Sequence, residues 1–548
     1  MEEPKVLPPE IILLFCEELA ARRDFGTLFN CCLTNRAVAS IACQQMYSNH
    51  ELSVASTSVE PHGLSALRGL WRSIVLSSSG KTAFPYCTYI RTLSFGNFIE
   101  CVDVYGFRQG LQKSMPEIGI GTLGQVGSLD IAINCVNSIM DYIKKYADDN
   151  EKAVALARID GDRIPRYALH SWITQLRFLT SLRIVDGSVL GLEAGKAISK
   201  HCPNFAEVTC YSCISSSADE DFGAFLSALR PNSLRTFTIH STNKMAKKSF
   251  TGLNTHATSL RNLKLGTQGR PAMKALDSLA DCTALERLSI KNDRFSIAHL
   301  KAYNKETLDK VVSWISNCKS LKDLRLRQVR NALPIVEGVL KSPNIRLQSL
   351  AIIDFGKKGG GEDYAEDNAT WATLGSQDQL EVLTLGLRNG RRMSLQIHRI
   401  PTLANSICQL KNLTCLCLSD AWITESEVQR FAAALPKLSE FGFNGDKVTD
   451  AIWESLGALS QLKMLSITSI SAFTYGGLNQ FCRRLTDTPG HERFALTIEN
   501  QLPQVHDFEF EIPQLQAFLR DNLGGAIRIH YFRNYEPPEW DGEGDFDG

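Results

Sequence analysis

Eight segments of this 548-residue chain repeat one phrase, Leu-x-x-Leu-x-Leu/Ile. They begin at Leu179, Leu260, Leu285, Leu321, Leu347, Leu380, Leu413 and Leu462, and looser apolar versions begin at Ile90, Val126, Phe205, Leu234 and Leu438. With 44% hydrophobic residues, three apolar positions coincide by chance in roughly 0.09 of windows, so one match decides nothing. Leucine identity and spacing decide instead. From residue 179 the intervals are 26, 29, 26, 25, 36, 26, 33, 33, 25 and 24 residues. A period of about 20–29 residues with some longer members marks a stack of like units, the excess lying in loops or helices.

Each unit has a physical reading. The closing Leu-x-Leu is a short strand whose alternate side chains point inward, and the segment that follows returns as a helix on the outer side. Val428, Phe431, Ala432 and Leu435 form one apolar helical stripe, and Thr424 with Glu427 three residues later predicts a capping box at its start. Phe222, Phe225, Leu226 and Leu229 repeat the stripe in an earlier unit. No unit covers its own apolar face, so neighbours must stack into one continuous core.

The cysteines keep the same phase. Cys202, Cys282 and Cys318 each stand three residues before the first apolar position of a unit, where Leu176, Leu410, Leu435 and Leu459 stand elsewhere. Cysteine that exchanges with leucine acts as a small buried hydrophobe, which argues against metal binding.

These features make the chain resemble the leucine-rich-repeat superfamily, in its cysteine-containing type. His201-Cys202-Pro203-Asn204-Phe205 and Asn317-Cys318-Lys319-Ser320-Leu321 are similar to that type's Cys-Pro-x-Leu segment. Ile423-Thr424 and Val448-Thr449-Asp450 are similar to its Ile-Thr-Asp segment. The resemblance covers roughly residues 85–535 and implies an α/β solenoid, a horseshoe with parallel inner strands and outer helices. The family's Asn/Cys ladder position is read once, at Cys213; elsewhere it holds Asp293, Val329, Arg388 and Ala421.

A different unit precedes the repeats. Pro8 and Pro9 suit a helix entry, and Ile11, Leu14, Phe15 and Leu19 predict one apolar face. Leu28 with Cys31 and Cys32, and Val38 with Ile41 and Ala42, predict two more short helices. Leu7-Pro8-Pro9-Glu10-Ile11 and Thr34-Asn35-Arg36 make residues 1–50 resemble an F-box, as in fungal-style F-box proteins with leucine-rich repeats. Two extra residues near Arg22 to Gly26, and Ala37 in place of an aromatic, depart from the pattern. The resemblance implies docking to the Skp adaptor of a cullin-type ubiquitin ligase through Leu7, Pro8, Glu10, Ile11, Phe15 and Leu19. The alternative is a helical cap on the open end of the solenoid.

Residues 51–84 read as a linker or capping segment. The stretch from Ile139 to Trp172 breaks the rhythm and reads as an insertion around 137–175. Glu536 to Gly548 reads as an acidic disordered tail. Strand phase places Lys264, Arg287, Lys291, Arg325 and Arg327 on the concave face, followed by Thr384, Cys417, Ser419, Gly442, Asn444 and Ser466. The five cations form a candidate target-binding patch for an acidic or phosphorylated segment; the alternative is ordinary solvated charge.

Fifty-nine basic residues balance 59 acidic ones, so no global charge favours nucleic acid or an anionic membrane. No apolar run approaches the roughly 20 residues of a membrane span, and no signal peptide is read at the N-terminus. Sixteen cysteines are expected as reduced thiols of a cytoplasmic or nuclear protein. Gly80-Lys81-Thr82 is not a phosphate loop, because Val75 stands where its first glycine is required. Lys357 to Gly361 reads as a surface loop, and Cys210 with Cys213 lacks the second pair of a zinc site. No catalytic residue, metal or cofactor is expected. The sequence reads as a non-enzymatic recognition subunit of a Skp–cullin–F-box ubiquitin ligase or, alternatively, a scaffold or inhibitor.

Overall fold

The computed structural model describes residues 7–50, 61–116, 127–150, 154–293, 305–329, 332–353, 368–386, 395–397, 400–500 and 511–531. Val126, Arg388, the loop Lys357 to Gly361 and the tail from Glu536 lie outside them. The chain divides into two compact units, Met1–Cys282 and Thr283–Gly548.

In the first unit three short helices, α1 (Pro9–Ala21), α2 (Phe25–Cys32) and α3 (Arg36–Asn49), precede a parallel sheet. Its strands are β1 (Thr92–Ser94), β2 (Arg158–Gly161), β3 (Ser181–Asp186), β4 (Glu207–Ser212), β5 (Thr236–Ile239) and β6 (Asn262–Gln268). Each pairs with the next in sequence, in parallel. Helices α4 (Pro61–Ser77), α5 (Phe95–Asp103), α6 (Tyr105–Ser114), α7 (Ser128–Asn150), α8 (Arg166–Ile173), α9 (Leu192–His201), α10 (Ala218–Ala228), α11 (Lys247–Asn254) and α12 (Arg270–Lys274) complete it.

The second unit continues the plan with β7 (Arg287–Asn292), β8 (Asp323–Arg327), β9 (Ser349–Ile353), β10 (Val382–Gly386), β11 (Leu395–Gln396), β12 (Cys415–Ile423), β13 (Glu440–Thr449), β14 (Met464–Ala472), β15 (Ala495–Asn500) and β16 (Ala526–Tyr531). Apart from the short β11, which pairs with β12, these too join their neighbours in chain order, all in parallel. This is a leucine-rich-repeat solenoid, unclosed, with a return helix in most repeats.

The register makes the repeated leucines equivalent. Leu288, Leu324, Leu350, Leu383, Leu416, Phe441, Leu465 and Leu496 align across β7 to β15, and all are buried. Each such side chain contributes about 1.5–3 kcal/mol by leaving water. Cys202, Cys282 and Cys318 are buried as the phase requires. Cys202 donates to the Leu176 carbonyl at 3.3 Å, and burial pushes the Cys202 and Cys318 thiols up to about 12. Neutral thiols of this kind are poor metal ligands.

Four sequence expectations change. Leu129 and Ile131, which complete the phrase begun at Val126, lie in α7. The segment read as an insertion contains a regular repeat: Leu156 and Ile159 are buried, and β2 pairs with β1 and β3. It escaped notice because Gly161 stands where the third apolar residue belongs. The repeats of β15 and β16 escaped for the opposite reason. Arg493 and Gly524 occupy their first leucine position, both with left-handed backbone at φ 62° and 60°. Finally, the ladder of Cys213 continues through Asn243 and Gln268, which bridge in turn. Asn243 donates to the Gly266 carbonyl at 3.2 Å and accepts from the Met245 amide at 3.2 Å. One extra residue after β5 had shifted Asn243 out of phase.

Carboxylates reach from one repeat to the next. Asp219 in the first turn of α10 accepts from the Ala246 and Ser249 amides at 2.7 and 2.9 Å, at the start of α11. Two glycines let the outer helices approach. A Cβ on Gly195 would meet the Phe225 carbonyl at 2.5 Å, and one on Gly223 would meet Lys248 backbone at 2.9 Å. The predicted capping box is present: Glu427 accepts from the Thr424 amide at 2.9 Å. Residues 61–77, within the expected linker, form α4, with Trp71, Ile74 and Val75 buried. No described helix is long and apolar enough to cross a membrane.

Candidate functional site

The N-terminal helices have two apolar stripes on α1. Ile12, Cys16, Leu19 and Ala20 recur at helical spacing and pack with Leu28 of α2 and Ala42 of α3. Leu7, Ile11, Leu14 and Phe15 occupy the other side, exposed by 62%, 49%, 61% and 54%. Phe29 and Leu33, on and just after α2, are also exposed, at 54% and 69%. Pro8 and Glu10 are exposed as well. Large apolar side chains gathered in water this way make the face a candidate docking surface.

Of the six residues that the F-box resemblance picks out, five are therefore accessible, and Leu19 is the exception. It is half-buried and belongs to the inner stripe, because seven residues, about two turns, separate it from Ile12. Phe29 and Leu33 were missed by sequence reading. Their four-residue spacing was the available signal, hidden beside the inward stripe of Leu28, Cys31 and Cys32.

Local caps hold the arrangement. Asp24 accepts from the Thr27 amide at 3.0 Å to begin α2, and Asn35 accepts from the Val38 amide at 3.0 Å to begin α3. The extra residues before α2 form a tight turn with Arg23 at φ 59°. The module joins the rest of its unit through α3. Tyr47 contacts the Ser73 hydroxyl at 2.6 Å and stacks on Tyr86 at 4.8 Å, while Ser48 donates to the Tyr89 carbonyl at 3.0 Å.

The second candidate surface is the sheet face that the leucines leave free. Lys264 belongs to the first unit and Arg287, Lys291, Arg325 and Arg327 to the second. In the first unit Lys264 Nζ lies 3.3 Å from His240 Nδ1. Burial, then the Lys264 and Arg183 cations, hold the His240 pKa below the usual imidazole range. Val185, Tyr211 and Ile214 of the same unit are exposed, and the Tyr211 ring lies 6.4 Å from His240.

In the second unit Arg287 stands opposite Asp323, and Lys291 stands directly opposite Arg327. Arg325 grips Asp323 with two bonds of 2.9 Å, which occupies that carboxylate. Lys291 and Arg327 are thus like charges on strands about 4.8 Å apart, a pairing that disfavours the empty sheet and favours a bound anion. In register with Arg325 the floor is small, with Ala351, Thr384, Cys417, Gly442 and Ser466 following in turn.

The first unit also has an open cleft of about 780 Å³ that includes Ser79, Gly80, Asp141, Lys145 and Asp149. Two carboxylates against one lysine make a poor phosphate cradle, in keeping with the missing glycine before Gly80. Among the described residues no group of three or more His, Cys, Asp or Glu side chains could hold a metal ion.

No family model matches the chain, and no curated protein matches it in sequence. Solved structures similar in backbone course include two of low identity. An internalin (inlF) from Listeria monocytogenes is 14% identical, with 64% of this chain and 81% of the internalin covered and a TM-score of 0.36. The Rad7 and Elc1 complex in yeast is 14% identical, with 68% of this chain and 92% of the matched chain covered and a TM-score of 0.38.

Proposed function

We propose that this chain is the substrate-recognition subunit of a Skp–cullin–F-box ubiquitin ligase. The observation that carries the reading is the outward apolar face of Leu7, Ile11, Leu14 and Phe15 on the α1 side and Phe29 and Leu33 on the α2 side. A three-helix module with a small interior has no folding reason to expose six large apolar side chains, and an adaptor helix laid against them would remove them from water. The repeats then hold the target, with Lys264 in the first unit and Arg287, Lys291, Arg325 and Arg327 in the second as target-binding residues. The chain performs no chemistry itself. It fixes a target near a catalyst carried by other subunits, in the cytoplasm or nucleus, and proximity is its contribution to the rate.

A second reading is favoured by one observation, the seating of α3 on Ser73, Tyr86 and Tyr89. There the N-terminal helices only cap the solenoid of a non-catalytic scaffold or inhibitor. Co-purification of the full chain with a Skp-type adaptor separates the two. The paired substitution Leu7→Ala and Pro8→Ala is expected to abolish adaptor recovery while target binding persists. Adaptor recovery that is undiminished by the pair, or absent from the unaltered chain, leaves the cap reading standing.

A further inference from the structure

Four of the sixteen cysteines fall within the N-terminal helices: Cys16, Cys31, Cys32 and Cys43. Cys16 and Cys43 are buried, and Cys31 and Cys32 are half-buried. In the repeats a thiol such as Cys202 points at a carbonyl, as a packing residue does. Cys32 makes such a contact too, with the Leu28 carbonyl at 3.3 Å, but its sulfur also meets a second thiol. The Cys43 thiol donates to Cys32 Sγ at 3.4 Å, joining the last residue of α2 to the middle of α3.

We propose that Cys32 and Cys43 form an oxidation site, which a hydroperoxide converts to a reversible disulfide stapling α2 to α3. A disulfide bond is about 2.05 Å long, so the two sulfurs need to close by roughly 1.4 Å. That is the scale of a rotamer adjustment in two side chains already in contact. Cys32 is the more accessible of the two and reacts first. The hydrogen bond from Cys43 holds its pKa below the usual thiol range, which favours the nucleophilic thiolate. Cys43 keeps its proton, its pKa pushed up by that same bond and by burial. Burial also pushes up Cys16 and Cys31, leaving them poorer nucleophiles.

The chemistry balances. Cys32 first releases its proton to water; the thiolate then attacks one oxygen of hydrogen peroxide, the O–O bond breaks to give a sulfenic acid, and the displaced hydroxide takes a proton back from the solvent and leaves as water. Cys43 then attacks the Cys32 sulfur, the S–S bond forms, and the sulfenic hydroxyl leaves with the Cys43 proton as a second water. Two thiols are oxidised and one peroxide is reduced. A thiol reductant reverses the change by exchange. The site does not depend on the adaptor reading, since it needs only the contact between α2 and α3.

The test treats the full chain with hydrogen peroxide, blocks remaining thiols with N-ethylmaleimide and maps linked peptides by mass spectrometry. A Cys32–Cys43 link is expected to form about tenfold faster than any other pair, and dithiothreitol is expected to erase it. Cys32→Ser and Cys43→Ser should each abolish the link, and Cys43→Ala should do so without placing a hydroxyl in the core. Cys31→Ser should leave it intact. Links through Cys16 or Cys31 at a comparable rate overturn the proposal. So does the absence of any link, or Cys32 advancing to the sulfinic acid beside a Cys43 that remains free to label.

Discussion

Phe15 and Cys16 are consecutive on α1 and meet opposite environments: Cys16 has no solvent exposure, whereas Phe15 keeps 54% of its surface in water. A helix turns about 100° per residue, so adjacent positions readily divide between two faces. Here both faces are apolar, and among the described residues the inner one alone is buried by the fold.

That division separates stability from binding. Phe15→Asp is expected to change the stability of the full chain by no more than about 0.5 kcal/mol while removing adaptor recovery. Cys16→Asp places a carboxylate against Leu28 and Ala42 and should unfold the helical module. Limited proteolysis beside an adaptor pull-down reads both effects. Equal loss of fold in the two variants would show that the outer face is structural.

Asp219 links two repeats. Burial alone would raise its pKa, but the amides of Ser249, Ala246 and Lys248 and the Ser249 side chain outweigh that and hold it below the ordinary carboxylate range. A carboxyl with a depressed folded pKa stabilises the fold above its unfolded value of about 3.9, and the contribution is lost as pH falls through the folded value. Asp219→Ala should cost about 1–2 kcal/mol at neutral pH, the scale of a lost helix cap. The same substitution should cost less at pH 3. Thermal unfolding at both pH values checks this; an equal cost at both contradicts it.

Lys291 and Arg327 stand opposite one another on β7 and β8. Replacing one like charge of a cross-strand pair with its opposite should stabilise by about 0.2–1 kcal/mol. Lys291→Glu is therefore expected to raise the unfolding midpoint slightly, and Arg327→Glu likewise, while target capture by either variant falls. Charge reversal that lowers the midpoint would mean that the two cations already share an intramolecular anion.

His256 is fully buried, with Nε2 at 3.2 Å from the Leu226 carbonyl and the Leu234 amide 3.5 Å from Nδ1. Burial lowers its pKa, against the raising effect of the Leu226 carbonyl. The neutral ring is the folded form, so the unfolded chain takes up the proton first as pH falls. Stability from this group is complete above an unfolded pKa of about 6.5 and declines below it. Denaturant midpoints at pH 7.5 and 5.5 should differ in the unaltered chain and differ less in His256→Gln. Parallel losses in both would assign the pH response to other groups.

What the sequence determined by itself was the position of nearly every strand, because a leucine pattern is local: three side chains within six residues must share one inward direction. It missed the two-residue β11 and also β2, β15 and β16, where Gly161, Arg493 and Gly524 interrupt that pattern, and it passed over Asn243, where one extra residue shifted the phase. The buried role of Cys202, Cys282 and Cys318 was legible for the same local reason.

The tertiary structure alone decided matters that depend on residues far apart in the chain. Leu19 and Phe15 look alike in a helical pattern until α2 and α3 take up one side of α1. The cations of β7 and β8 look alike until the register sets Lys291 against Arg327, and the rotamer of Arg325 claims Asp323. Cys32 and Cys43 became neighbours only when two helices packed. Periodicity states which way a side chain points. What it meets there is settled by packing between elements that the local sequence does not encode.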